Sequence, residues 1–143
     1  MNDPTVIILV GAPGCGKSTW AAQHLIDRPE GVICSADNYF TRPDGSYQFC
    51  PAALGMAHAI CMAEFEASLL YDRSPVIVDN TSTRKSERTA YTEKAKASGY
   101  RVFLKVFRED PTLCAARCIH GVPLSSVQKM SSRIDVDPGF YEV

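Results

Sequence analysis

The sequence predicts an α/β fold: about four parallel strands flanked by helices, with a small helical lid. Three observations lead there. Four short apolar runs alternate with stretches of helical pattern along the 143 residues, the order that builds a parallel sheet. The first run, Val6-Ile7-Ile8-Leu9-Val10, passes directly into Gly11-Ala12-Pro13-Gly14-Cys15-Gly16-Lys17-Ser18. Those eight residues fit the phosphate-binding pattern of Gly, four residues, Gly, Lys, Ser. Residues 1–143 also carry no repeat, low-complexity tract or linker, so they read as one domain with one core.

Five consecutive apolar residues, mostly β-branched, read as a strand buried on both faces. The glycines that follow let the backbone turn tightly and aim its N–H groups inward at an anion. A helix opening at Lys17 adds unsatisfied amides and a positive dipole end. It runs to about Ile26 and stops before Arg28-Pro29. Gly31-Val32-Ile33-Cys34-Ser35 is a short second strand. Tyr39 to Pro51 is polar and aromatic, with a turn signal at Arg42-Pro43-Asp44-Gly45. A helix from about Ala52 to Tyr71 carries two apolar stripes, which predicts that it is largely buried.

Val76-Ile77-Val78-Asp79 is a third buried strand that ends in a carboxylate. Ser82 or Thr83 is placed to cap a polar helix that Gly99 terminates. Tyr100 to Phe107 is the fourth strand. Asp110-Pro111 opens the next helix with an N-cap and a first-turn proline. Gly121-Val122-Pro123 separates it from a last helix near Leu124 to Arg133. The tail from Asp135 to Val143 is expected to pack on the body or fray.

Composition narrows the class. Hydrophobic content of 45% with 22% charged residues is that of a globular domain. No apolar run is read as long enough for a membrane span, and Met1-Asn2-Asp3-Pro4 has no basic region that would mark a secretory leader. The net charge of −1 provides no global field for nucleic acid. Any polynucleotide is therefore held by a few local basic residues. The six cysteines are scattered, and Cys114 with Cys118 lacks the pattern of a zinc site. They predict a reduced, cytoplasmic protein.

In open α/β sheets, ligands bind beyond the carboxyl ends of the strands. Three polar clusters fall there. The first is the loop itself, where Gly11, Ala12, Pro13, Gly14, Cys15, Gly16, Lys17, Ser18 and Thr19 form a candidate ATP site. Lys17, expected to be partly exposed, can reach the β- and γ-phosphates, and the Ser18 hydroxyl can ligate Mg²⁺. The second cluster holds Asp37, which suits either a general base for an acceptor hydroxyl or a helix cap. The third holds Asp79, a candidate for the Mg²⁺ shell or again a cap, with Asn80 and Thr81 as candidate substrate contacts. Arg117 can fold over the phosphates as a lid or lie solvated on the surface. His58 falls on an apolar stripe and reads as a core histidine. Arg84, Lys85 and Arg88 read as a solvated helix face or as contacts to a substrate phosphate.

Four stretches together resemble the polynucleotide kinase-like P-loop family. They are 11–20, Ser35-Ala36-Asp37-Asn38-Tyr39-Phe40, Val76-Ile77-Val78-Asp79-Asn80-Thr81 and 115–123. That family includes the kinase domain of bacteriophage polynucleotide kinase and zeta-toxin-like kinases. Residues 44–58 are similar to a subgroup of ATPases found in animal ubiquitin-ligase-binding proteins and in small bacterial and phage proteins. The resemblance implies a P-loop NTPase fold and transfer of the ATP γ-phosphate to a 5′-hydroxyl. It implies Asp37 as base, Lys17 as the transition-state lysine, Ser18 as the Mg²⁺ hydroxyl and Arg117 as the lid arginine. The phage enzyme has an arginine three residues after its base. Phe40 stands there in this chain, and Arg42 is the nearest substitute. The phage lid also carries a further arginine, where this chain reads His120-Gly121.

The leading expectation is an ATP-dependent kinase acting on the 5′-OH of DNA or RNA. A small-molecule kinase, for a nucleoside, sugar or other metabolite, is the second. A non-catalytic ATP-binding interaction module is the third.

Overall fold

A computed structural model describes residues 3–118, 121–136 and 141–142. The strands β1 (Thr5–Val10), β2 (Val32–Cys34), β3 (Val76–Val78), β4 (Arg101–Val106) and the two-residue β5 (Tyr141–Glu142) form one sheet in the order β2-β3-β1-β4-β5. Every pairing is parallel. Val6 sits between Val76 and Val102, and Ile8 between Val78 and Leu104. The expected four strands are present, and β5 adds a short fifth at the edge of β4. Helices α1 (Lys17–His24), α2 (Leu54–Leu70), α3 (Lys85–Ala97), α4 (Pro111–Arg117) and α5 (Leu124–Ser132) complete the domain.

The sheet is buried on both faces, as the unbroken apolar run of β1 requires. Val6, Ile8 and Val10 point into the larger core with Phe65 of α2 and Tyr91 and Ala95 of α3. Ile7 and Leu9 point the other way, against Ala21 and Trp20 of α1. Each such side chain, once fully buried, contributes about 1.5–3 kcal/mol. The order places β1 next to both β3 and β4, so the loop after β1 lies at the switch between the two directions of winding.

The structure revises three expectations about the helices. Pro51–Ala53 forms a 3₁₀ turn and α2 begins at Leu54. Only one stripe of α2 is buried: Ala57, Cys61, Phe65, Ser68 and Leu69. Met56, Ile60 and Leu70 of the other stripe are exposed, because α2 has the sheet beneath it and, among the described residues, no layer above. The stretch Pro51–Leu70 is also long and apolar enough for a membrane span, with a hydropathy of 1.3, contrary to the reading of the sequence. Length and composition do not register that its Ala57–Leu69 face is seated on the sheet.

Neither Ser82 nor Thr83 caps α3. The N-cap position is Arg84, without a side-chain cap. Ser82 has a positive φ of 47°, and the Thr83 hydroxyl accepts from Arg133 Nε at 3.2 Å. The cap at α4 follows the sequence signal, with Asp110 Oδ1 accepting from Thr112 N at 2.9 Å. Gly99 ends α3 at a φ of 82°. In the tail, Val136 packs against the core and 141–142 form β5. Residues 137–140 and 143 lie outside the described residues, as do Ile119 and His120.

Candidate active site

One cleft of about 950 Å³ opens at the carboxyl ends of β1, β2 and β3. The loop after β1 forms its floor. Gly14 and Gly16 have φ values of 80° and 91°, a region that residues with a Cβ rarely occupy. At Gly14 a Cβ would also come within 1.9 Å of the Cys114 carbonyl oxygen, so loop and α4 are in direct contact there. Gly16 is the residue at the start of α1. The loop's first amide, Gly11 N, donates to Thr81 O at 3.0 Å, which ties it to the segment after β3.

Pro13, Gly14, Gly16, Lys17, Ser18 and Thr19 line the cleft. Gly11 lies behind this lining. So do Ala12 and Cys15, which pack with Cys114 and Val127 in a small separate core. The Cys15 and Cys114 sulfurs are 2.7 Å apart, across the joint between loop and α4. Lys17 is buried rather than partly exposed, at 8%. Its ammonium donates to Gly11 O and Ala12 O, both at 2.9 Å. Burial holds its pKa below the ordinary value, opposed by the negative charge of Asp79 and then others including Asp37.

Ser18 Oγ donates to Asp79 Oδ2 at 2.7 Å. Asp79 is held in place by its own N–H, which donates to Cys34 O at 2.8 Å. A hydroxyl beside a carboxylate at the mouth of a glycine-lined anion loop is the donor set that suits Mg²⁺ with phosphate, because Mg²⁺ takes few protein oxygens and keeps waters. Among the described residues, no group of three or more His, Cys, Asp and Glu side chains is placed to hold a metal by itself.

Asp37 lies across the cleft from the loop, in the 3₁₀ turn Ala36–Phe40 that follows β2. The cap of that turn is Ser35, whose Oγ accepts from Asp37 N at 3.2 Å. Asp37 is therefore not the cap, and its carboxylate is exposed to the cleft. Tyr47 OH donates to Asp37 Oδ1 at 3.1 Å. Burial, and then the nearby Asp37 carboxylate, push the Tyr47 phenol up to about 12, so it remains a donor. Asn80 braces the strand ends: its Oδ1 accepts from Ala36 N at 2.9 Å. Asn80 and Thr81 both line the cleft.

Arg117 reaches the cleft from the end of α4 and donates to Glu109, with both side chains partly exposed. Arg42 does not join this group. It sits exposed on the hairpin closed by the Thr41–Tyr47 bridge, with its backbone in the turn, and is not among the lining residues. Arg88 is not part of a solvated face either. It is 2% exposed and donates to Ser82 O, Thr83 O and Asp135. Arg84 and Lys85 are exposed. His58 is exposed in the cleft rather than in the core.

The lining residues not singled out in the sequence include Tyr47, Phe49, Glu87 and Arg133. The turn signal at 42–45 is the cue that could have found Tyr47, since a hairpin there sets Tyr47 opposite Thr41, four residues past Asp37.

Comparison with known proteins places this cleft in context. A family model described as an AAA domain matches residues 6–120. Human NEDD4-binding protein 2 is 35% identical over 132 residues, which covers 87% of this chain and 7% of that protein's length. The structure of the Pnkp1/Rnl/Hen1 RNA repair complex superposes with a TM-score of 0.73 at 25% identity, covering 94% of this chain and 45% of that one. Mycobacterium tuberculosis APS kinase CysC, in complex with AMPPNP and APS, superposes at 0.65 with 16% identity, covering 100% and 89%. A gluconokinase from Sinorhizobium meliloti 1021 superposes at 0.61 with 17% identity, covering 100% and 83%. The last two likenesses concern the fold alone. A match that takes in every strand from β1 to β4 makes this chain a member of that AAA-domain family, with the fold of the P-loop kinases.

Proposed function

We propose that the chain transfers the γ-phosphate of ATP, with Mg²⁺, to a hydroxyl, and that the acceptor is the 5′-OH of a polynucleotide. The observation that carries the reading is the gathering of Lys17, the Ser18–Asp79 pair and Asp37 around one cleft. The loop amides and Lys17 hold and neutralise the phosphates. Ser18 and Asp79 would hold Mg²⁺, which supplies charge neutralisation at the β- and γ-oxygens when bound. Asp37 accepts the proton of the acceptor hydroxyl. Arg117 leaves Glu109 to meet the charge that develops on the transferring group.

The polynucleotide acceptor draws support from the likeness to the RNA repair complex, which has a higher TM-score and identity than the APS kinase and the gluconokinase. A small-molecule acceptor is favoured by two observations: the net charge is −1, and Phe40 is buried where the phage enzyme has an arginine. A non-catalytic ATP-binding module has no use for a carboxylate exposed across the cleft. We also place the protein in the cytoplasm, where ATP and reduced cysteines are at home.

The test offers ATP labelled at the γ-phosphate to 5′-hydroxyl oligonucleotides and to a panel of nucleosides and sugars. Label on the oligonucleotide is the expected result. Label confined to a small molecule replaces the acceptor. ATP binding without transfer or hydrolysis overturns the kinase reading.

A further inference from the structure

Resting on the polynucleotide reading above, we propose that Phe49 is a stacking platform for the 5′-terminal nucleobase of the acceptor strand. The ring is 49% exposed and lines the same cleft as Asp37 and the phosphate loop. It is held edge-on against Phe40, with centroids 5.1 Å apart. Phe40 is 5% exposed and is met at its other edges by Tyr39 at 5.2 Å and Tyr47 at 6.1 Å. Tyr47 in turn bonds the Asp37 carboxylate at 3.1 Å. One aromatic cluster therefore fixes both the exposed ring and the carboxylate that receives the acceptor's proton.

The position suits a nucleobase. In a polynucleotide the terminal base lies one sugar away from the 5′-hydroxyl, so a hydroxyl seated at Asp37 brings its base to the wall beside it. Tyr47, Phe49, Leu54, His58 and Met62 line the cleft together, and the lysine and arginines among its described lining residues, Lys17, Arg117 and Arg133, come from α1, α4 and the end of α5. The exposed Phe49 ring and its apolar neighbours offer a flat base a face to pack against. Arg42, the basic residue on the same hairpin, lies outside the lining. Stacking on a phenyl ring tolerates any base, because every base has a π-face. The platform accordingly selects for the presence of a base and little for its identity.

The experiment compares two 5′-hydroxyl oligonucleotides that differ only at the 5′-terminal residue, one carrying a base and one an abasic sugar with its hydroxyl intact. Stacking contributes about 1–3 kcal/mol per base, so wild type should favour the base-bearing strand by roughly 5- to 150-fold in kcat/KM. Phe49→Ala should erase that preference by raising the acceptor KM, with the KM for ATP unchanged. Phe49→Trp should keep the preference, and Phe49→Leu, apolar but not aromatic, should not. Equal use of both strands by wild type overturns the proposal and leaves the kinase reading standing. So does an equal loss on both strands in Phe49→Ala, or a preference retained by Phe49→Leu. Failure to label any oligonucleotide overturns the polynucleotide acceptor and this platform with it.

Discussion

On the phosphate side of the cleft, strand ends grip the functional groups. Lys17 Nζ rests on two loop carbonyls, and Ser18 is bonded to Asp79 at the end of β3. On the acceptor side, the wall hangs from a hairpin: Tyr47 and Phe49 follow an exposed turn and lean on one buried ring, Phe40. The two sides solve different problems. A nucleotide's phosphates present the same charge and shape in any kinase, so the sheet itself can hold them. An acceptor differs between kinases, and a hairpin can be reshaped without disturbing the sheet. The fold is accordingly shared with an APS kinase and a gluconokinase, and the proposed reading leaves the choice of acceptor to the wall beside Asp37.

Mutations on the two sides should therefore separate in their kinetics. Lys17→Ala should have the broadest effect, since it strips both nucleotide affinity and charge stabilisation. Each preorganised donor removed costs about 10²–10³ in rate, and the ATP dissociation constant should rise as well. Folding should change little, because the ammonium's partners are loop carbonyls that water can reach once the side chain is gone. Near wild-type transfer by this variant would remove the loop from catalysis.

Asp37→Asn should lower transfer by about 10²–10⁴-fold, the range of a general base, with Mg·ATP affinity close to wild type. Asp79→Asn should respond to metal instead. Its rate should fall, and raised Mg²⁺ should recover part of the loss. Transfer rates across a Mg²⁺ titration, with nucleotide affinity measured alongside, distinguish the two. Rescue of Asp37→Asn and not of Asp79→Asn would exchange their roles.

Tyr47→Phe removes the hydrogen bond to Asp37 and keeps the ring against Phe40. A hydrogen bond to a charged group contributes roughly 1.5–3 kcal/mol, so a loss of about tenfold in kcat is expected, without change in the KM for ATP. A variant as fast as wild type would show that the Tyr47 hydroxyl does not position Asp37.

The smallest effect concerns stability and lies beneath both sides. Burial pushes the Cys34 thiol, at the end of β2, from an ordinary value of 9.0 up to about 12. A raised acid pKa means that the folded state binds the proton more tightly than the unfolded chain. The contribution is complete below pH 9 and is lost as pH rises from about 9 to 12. Unfolding midpoints should decline through that window, and less steeply in Cys34→Ala than in wild type. Parallel declines in the two would assign the alkaline loss to other groups.

The phosphate side was legible in the sequence because its residues are neighbours along the chain. Gly11 to Thr19 is one contiguous stretch, and strand-end carboxylates such as Asp79 follow from β-branched runs. What could not be read depends on which distant segments share a face. Two apolar stripes on 54–70 have the same pattern whether one layer or two cover them, so the exposure of Met56 and Ile60 was hidden. His58 was misplaced by the same ambiguity. Lys17 was expected to be partly exposed, because nothing in the loop's own sequence indicates that its ammonium folds back onto Gly11 and Ala12. Arg88 looked like one of three helix charges. The guanidinium instead turns inward to Ser82 and Thr83 and meets the returning chain at Asp135, 47 residues later.

That return bears on the order in which the protein assembles. The Arg88 guanidinium clasps the bend at Ser82 and Thr83, just downstream of Asp79, and its counter-ion Asp135 is supplied by the segment after α5. During synthesis the strands β1 to β4 emerge well before that segment does. Until it docks, the bend beside Asp79 lacks one side of its clasp. The sheet can form early, but the bend that carries Ser82 and Thr83 gains its last contacts only when residue 135 reaches Arg88.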